Sequence, residues 1–305
     1  MLLLAGRGSR SGRRLYQRPL SSLGSLDVSR SGHDPGDSPT DRLVASPPVT
    51  APIIPGCEPW TSVGGSHGVL VLHGYTGNPQ SMRPLAEALA AAGFTVDLPL
   101  LPGHGTSVED MVPTRWADWS KAADEAYEAL SARCERVALT GLSMGGTLAC
   151  WLAERHVDVA GVAVVNPFVD PPAAEFRDAI RQLLEQGTEV IDGIGSDIAK
   201  EGAAEAAYKG TPVASLLSLF DGVDEVFPAL GSITCPTLLL SSRQDHVVAP
   251  VSGDVLEANV GGPIERVFLE RSYHVATLDW DAPLIEERVV AFADKVLGGP
   301  GAVAA

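Results

Sequence analysis

The stretch Thr140-Gly-Leu-Ser-Met-Gly-Gly146 decides how the rest of the chain is interpreted. A short apolar run of strand type precedes it, and residues 147–154 follow with the pattern of a buried helix. A chain that passes from strand to helix at Ser143 must turn sharply there. Gly141 and Gly145 carry no Cβ atom, so the two elements can approach closely at this turn. The stretch predicts a nucleophile elbow that presents the serine hydroxyl outward, although the alternative is a serine in a plain glycine turn.

Short apolar runs alternate with helical patterns on both sides of this stretch. The runs lie at 68–72, 94–101, 136–139, 159–165, 236–241 and 265–269. The clearest helix begins at Pro79 behind the capping residue Asn78, and others are predicted at 115–132 and 283–296. Continuous apolar strands that alternate with helices predict an α/β fold whose mostly parallel central sheet has helices on both faces.

The alternation breaks between about residues 171 and 234, after the strand that ends near Val165. Apolar residues recur there at helical spacing in short stretches, which predicts a small helical cap inserted into the domain. The cap and the alternating elements together define one domain over residues 51–300. Residues 1–50 are rich in Arg, Ser, Gly and Pro and lack apolar periodicity, which predicts a disordered N-terminal tail.

Charge and composition exclude several classes of binding partner and location for this chain. The formal net charge of −16 argues against nucleic acid and anionic membranes as partners. The chain contains no apolar run of eighteen residues, so we expect no stable membrane insertion. Its four cysteines are widely spaced and form no pairing or metal-binding pattern, so we expect a cytoplasmic protein without a metal. The oligomeric state stays open.

A serine hydroxyl becomes a nucleophile only when a base takes its proton and a carboxylate orients that base. The loops after the last two predicted strands supply Asp245 and His274, in the chain order serine, acid, histidine that such folds use. His246 would share a loop with its own acid, so His274 is the preferred base. Asp170 follows an earlier strand and is the alternative acid.

The oxyanion of an acyl-transfer intermediate needs two backbone N–H donors. Met144 follows Ser143 at the start of a predicted helix and supplies the first donor, while Tyr75, in the glycine-rich turn after the first strand, supplies the second. His73 opens that turn, but it precedes the serine in the chain, so we expect it to have a structural role.

Several spaced motifs together resemble the α/β-hydrolase superfamily, and more narrowly its bacterial carboxylesterase and monoacylglycerol lipase group. They are His73-Gly-Tyr-Thr-Gly-Asn78, Leu101-Pro-Gly-His-Gly105, Gly141-Leu-Ser-Met-Gly-Gly146, Asp245-His-Val-Val248 and Ser272-Tyr-His-Val-Ala-Thr-Leu-Asp279. The resemblance covers residues from about 55 to 297. It implies a triad of Ser143, Asp245 and His274, an oxyanion hole from Tyr75 and Met144, no cofactor, and a cap over the site.

These residues predict a serine hydrolase that cleaves carboxylic esters through an acyl-enzyme on Ser143. An amidase, a thioesterase and a C–C bond hydrolase use the same triad, and a catalytically silent binding module has the same fold. Apolar side chains of the predicted cap would form the wall of a site for one acyl chain, which suits monoacylglycerols and other small esters. The predicted wall residues are Phe176, Ile180, Leu183, Leu216 and Phe220.

Overall fold

The computed structural model describes residues 51–193 and 195–302, so the predicted tail at 1–50 lies outside the described residues. The strands are β1 (Trp60–Ser62), β2 (His67–Leu72), β3 (Thr95–Leu98), β4 (Arg136–Leu142), β5 (Val162–Val165), β6 (Val190–Asp192), β7 (Gly210–Pro212), β8 (Thr237–Ser242) and β9 (Ile264–Leu269). The α-helices are α1 (Pro79–Ala91), α2 (Val108–Met111), α3 (Trp116–Ser131), α4 (Met144–Arg155), α5 (Ala174–Glu185), α6 (Val213–Val226), α7 (Val251–Asn259) and α8 (Ala282–Leu297). Two 3₁₀ turns cover Phe227–Ser232 and Ala276–Leu278.

The described residues form a seven-stranded sheet in the order β1-β3-β2-β4-β5-β8-β9. All neighbouring strands are parallel except β1 and β3, which are antiparallel. One apolar core fills the side of the sheet that packs on α3, α4 and α6, and a second core fills the side covered by α1 and α8. The predicted fold class, a mostly parallel sheet with helices on both faces, is confirmed.

The start of α1 follows from its first residues. Asn78 has an extended backbone, and its side chain accepts a hydrogen bond from the Gln80 amide at 2.9 Å. Pro79 occupies the first helical position, where the missing N–H group would have no partner within the helix. The turn before the helix is thereby held at the carboxyl end of β2, which is the edge where ligands bind in such sheets.

The segment between β5 and β8 breaks the alternation, where the sequence predicts a cap. It contains α5 and α6, whose Phe176 and Phe220 rings lie 5.8 Å apart. It is not purely helical, however, because β6 and β7 pair as a two-stranded antiparallel sheet. Three-residue strands are too short to give a period-2 signal, so the sequence predicted only a helical cap here. None of the described helices is long and apolar enough to cross a membrane.

Candidate active site

Ser143 lies at the junction of β4 and α4 in a strained conformation, with φ 55° and ψ −118°. A Cβ atom on Gly141 would lie 2.2 Å from the Gly145 carbonyl oxygen, and one on Gly145 would lie 2.1 Å from the Leu72 carbonyl oxygen. The strands and the helix therefore approach each other at distances that only glycine permits. Ser143 donates its amide hydrogen to the Val165 carbonyl oxygen at 3.0 Å, which holds the turn on β5.

The loops after β8 and β9 bring Asp245 and His274 together. His274 Nδ1 lies 2.7 Å from Asp245 Oδ2 and donates to it, so Nε2 is the acceptor nitrogen of the neutral ring. Asp245 Oδ1 accepts hydrogen bonds from the amides of Val247 and Val248, both at 2.8 Å. Asn166, at the end of β5, donates from its side chain to the His274 carbonyl oxygen at 2.8 Å. The Asp245 carboxylate and the main chain of His274 are therefore each held by contacts outside the pair.

The charge around His274 determines when it can act as a base. Burial lowers the pKa of His274, but the carboxylates of Asp245, Asp197 and Glu205 outweigh burial and raise the pKa above its ordinary value. The same carboxylates therefore stabilise the protonated imidazole that forms when the serine loses its proton. The raised pKa also means that the neutral, active form of the base is lost at a higher pH than for a free histidine.

The predicted oxyanion-hole residues lie on either side of the elbow. A Cβ atom on Gly74 would meet the Ser143 Cβ at 3.5 Å, so the turn that carries Tyr75 lies against the elbow. The Tyr75 hydroxyl points away into the cap, where it lies 3.0 Å from Ser215 Oγ. Within residues 51–193 and 195–302, neither the Tyr75 amide nor the Met144 amide donates a hydrogen bond. Both N–H groups are available to a developing negative charge, and their role stays a prediction.

The other histidines near the sheet edge have different partners. His73 is buried, donates from Nδ1 to the Gly74 carbonyl oxygen and accepts from the Leu101 amide at 3.1 Å. Burial lowers its pKa to about 4, so it stays neutral at physiological pH. His246 directs its Nδ1 to Asp197 at 2.8 Å and not to Asp245. The alternative acid Asp170 is held through its amide by Ser252 Oγ, at 3.2 Å.

The five predicted wall residues fall into two groups. Ile180 and Phe220 are each only 1% exposed and belong to the core between the cap and the sheet. Phe176, Leu183 and Leu216 pack against the same core but remain partly exposed. Of the five, only Phe176, Leu183 and Leu216 therefore have surface open to a ligand, and their contact with a substrate stays a prediction.

Sequence reasoning missed Glu205, which lies in the irregular cap segment between β6 and β7. Its Oε1 atom lies 2.6 Å from the position that a Cβ atom on Gly77 would take, so the carboxylate reaches the turn that carries Tyr75. Burial raises the pKa of Glu205, while the Ser81 hydroxyl and His274 oppose that rise. The only sequence signal is one acidic residue among alanines, which does not distinguish a site residue from a solvated one.

The chain is similar in sequence to a known protein family and to two named proteins. Residues 66–281 match the family model Hydrolase_4, described as "Serine aminopeptidase, S33". The chain is 44% identical over 251 residues to a thermostable monoacylglycerol lipase of Bacillus sp. (strain H-257), covering 81% of this chain and 98% of that protein. It is 29% identical over 248 residues to a carboxylesterase of Bacillus subtilis (strain 168), covering 78% and 97%.

A solved structure is similar over the same region. It comes from work on LipS and LipT, two metagenome-derived lipolytic enzymes, and it is 41% identical to this chain with a TM-score of 0.77. The likeness covers 80% of this chain and 100% of that chain.

Proposed function

The chain belongs to the family described as Serine aminopeptidase, S33. From its likeness to a monoacylglycerol lipase and a carboxylesterase, we propose that it cleaves monoacylglycerols and other small monoesters through an acyl-enzyme. It is an ester hydrolase of the α/β-hydrolase fold. In the proposed mechanism, Ser143 is the nucleophile, His274 is the base and Asp245 is the acid that orients the base.

The observation that carries the proposed mechanism is the 2.7 Å hydrogen bond between His274 Nδ1 and Asp245 Oδ2. It fixes the tautomer in which Nε2 can accept the proton of Ser143 as the serine oxygen attacks the ester carbon. The proton then passes to the departing alcohol as the ester C–O bond breaks. A water molecule, activated by the same nitrogen, attacks the acyl-enzyme and releases the acid. The amides of Tyr75 and Met144 would stabilise the negative oxygen in both steps.

Two kinds of surface in the cap support the substrate class. Phe176, Leu183 and Leu216 offer a partly exposed apolar wall on the cap, which suits one acyl chain. Glu205 offers an acceptor for hydroxyl groups on the side of the Tyr75 turn. A monoacylglycerol combines one acyl chain with two free hydroxyls, and a relative at 44% identity is a monoacylglycerol lipase. A triacylglycerol would require space for three chains and offers no hydroxyl to Glu205.

A fluorophosphonate probe followed by a substrate panel tests the proposal. Wild type should be labelled at Ser143, whereas Ser143→Ala should lose both labelling and ester hydrolysis, by a factor of about 10⁴ to 10⁶. The panel compares monoacylglycerols with the matching amides, thioesters and a triacylglycerol emulsion. Absence of labelling in the wild type would favour a silent binding module. An amide or thioester cleaved faster than the ester, or an emulsion rate equal to the monoacylglycerol rate, would contradict the substrate class.

A further inference from the structure

One carboxylate of the cap contacts both loops that carry the proposed base and acid. Asp197 Oδ2 accepts a hydrogen bond from the His274 amide at 3.0 Å and another from the His246 amide at 3.2 Å. Asp197 Oδ1 lies 2.8 Å from His246 Nδ1. His246 directly follows Asp245, so the two amides bound by Asp197 belong to the loop of the acid and to the loop of the base.

The main chain at Asp197 is anchored to the base loop as well. Its carbonyl oxygen accepts a hydrogen bond from the Val275 amide at 3.1 Å. Two and three residues further along, the Ala199 and Lys200 amides donate to the carboxylate of Asp279, which also accepts from the Tyr273 amide at 2.9 Å. The cap and the base loop are thus joined on both sides of His274.

The same cap segment reaches the turn that carries Tyr75 at its other end. Asn78 donates from its side chain to the Ala206 carbonyl oxygen at 2.8 Å, and the Tyr208 amide donates to the Thr76 carbonyl oxygen at 3.2 Å. The segment from Asp197 to Tyr208 therefore crosses between the base loop and the turn that carries Tyr75. A displacement of the cap would therefore shift both the base loop and the turn that carries Tyr75.

We propose that Asp197 is a positioning residue for the proposed ester hydrolysis, which holds the acid loop and the base loop in register through one carboxylate. This inference rests on the proposed roles of Ser143, His274 and Asp245. Hydrolysis needs His274 within hydrogen-bond reach of the serine and of the leaving oxygen, and a misplacement of about 1 Å costs about 10²-fold in rate. The Asp197 carboxylate links the cap to the acid loop and the base loop at once.

The charge of Asp197 also affects a second measurable property, the pKa of His274. Burial lowers the pKa of His274, and the carboxylates of Asp245, Asp197 and Glu205 raise it. The ring of His246 also pairs with Asp197, through Nδ1. Removal of the Asp197 charge should lower the pKa of His274, so the neutral base persists to lower pH. The acid limb of kcat/KM should then move to lower pH, which a purely structural role would not cause.

The test compares Asp197→Asn and Asp197→Ala with the matched control Asp279→Asn in the full chain. Asp279 anchors the same loop but is not among the groups that shift the pKa of His274. Two rates are followed across pH, the hydrolysis of 4-nitrophenyl butyrate and the labelling of the serine by a fluorophosphonate. The melting temperature of each variant shows whether it is folded.

We expect kcat to fall about 10-fold in Asp197→Asn and about 10²-fold in Asp197→Ala, with KM nearly unchanged. The acid limb of both rates should move to lower pH in both variants and stay in place in Asp279→Asn. An unchanged limb and unchanged kcat in folded Asp197 variants would overturn the proposal, as would an equal shift in Asp279→Asn. Serine labelling does not depend on the natural ester, so failure of the proposed substrate class would leave this result readable.

Discussion

His274 and Asp245 share a 2.7 Å hydrogen bond between side chains that are only 9% and 2% exposed. The neighbouring His246 is 46% exposed in its side chain and pairs with Asp197 instead. We therefore expect His274→Ala to reduce ester hydrolysis about as much as loss of the serine, by a factor of about 10⁴ to 10⁶. His246→Ala should be far milder, because the main-chain hydrogen bonds to Asp197 remain.

The measurement is kcat/KM of both variants on one ester, with the melting temperature as a control for folding. A larger loss in His246→Ala than in His274→Ala would reverse the assignment of the base. An equal small loss in both would show that neither histidine takes the proton of Ser143.

The backbone of Ser143 predicts an unusual effect on stability. A φ of 55° with ψ −118° is costly for any residue with a Cβ atom, by about 1 to 3 kcal/mol, and glycine avoids that cost. Glycine also makes the unfolded chain more flexible, which offsets about 0.4 to 1 kcal/mol. Ser143→Gly should therefore be more stable than Ser143→Ala by about 1 kcal/mol, or about 2 to 4 °C in Tm, although both are inactive. A glycine variant that melts at or below the alanine variant would contradict the strain at the elbow.

His104 predicts a dependence of stability on pH. Burial, with a contribution from His73, lowers the pKa of His104 to about 3. In the unfolded chain it titrates near pH 6.5, so its contribution to stability is complete above about 6.5 and is lost as the pH falls toward the folded value. The loss should be about 1.4 kcal/mol per pH unit below about 6.5. In the variant His104→Asn, the asparagine side chain can donate the hydrogen bond that His104 Nδ1 donates to the Pro102 carbonyl oxygen.

The comparison of wild type with His104→Asn isolates this residue, since all other titrating groups are common to both. The free energy of unfolding of the wild type, relative to the variant, should fall by about 1.4 kcal/mol between pH about 6 and about 5. A difference that does not change with pH would show that folding does not lower the pKa of His104.

The sheet and the elbow were predictable because their signals are local. The strands β2, β4, β5 and β8 are buried on both faces and therefore appear as continuous apolar runs. The helix-capping residue Asn78 and the glycines around Ser143 mark turns whose geometry depends on residues adjacent in the chain. By contrast, β1 is a three-residue antiparallel edge strand, and its pairing with β3 cannot be seen in so short a stretch.

The polar residues of the cap were unpredictable for a different reason. Asp197 and Glu205 lie in a segment without regular secondary structure, where no periodicity assigns a side chain to a face. Asp197 acquires its contacts from residues 49 and 77 positions away in the chain. Only the folded arrangement of the cap on the sheet brings both carboxylates close enough to His274 to raise its pKa.

Glu205 leads to a prediction that separates head-group binding from catalysis. A hydrogen bond between a charged carboxylate and a hydroxyl contributes about 1.5 to 3 kcal/mol, so Glu205→Ala should raise KM for a monoacylglycerol roughly 10- to 100-fold. 4-Nitrophenyl butyrate has no free hydroxyl, so its KM should change little. Because Glu205 also raises the pKa of His274, the acid limb of kcat/KM should move to lower pH for both substrates.

Glu201 offers a matched control, since it is an exposed glutamate four residues earlier in the same cap segment. Glu201→Ala removes the same charge from the chain at a position open to water, where its field at His274 is screened. It should change neither the KM for the monoacylglycerol nor the position of the acid limb. If Glu205→Ala raised KM equally for both esters, the carboxylate would be shaping the cap and not binding hydroxyls. If it moved the limb without any change in KM, Glu205 would act on the base alone, and the preference for monoacylglycerols would have to come from the apolar wall.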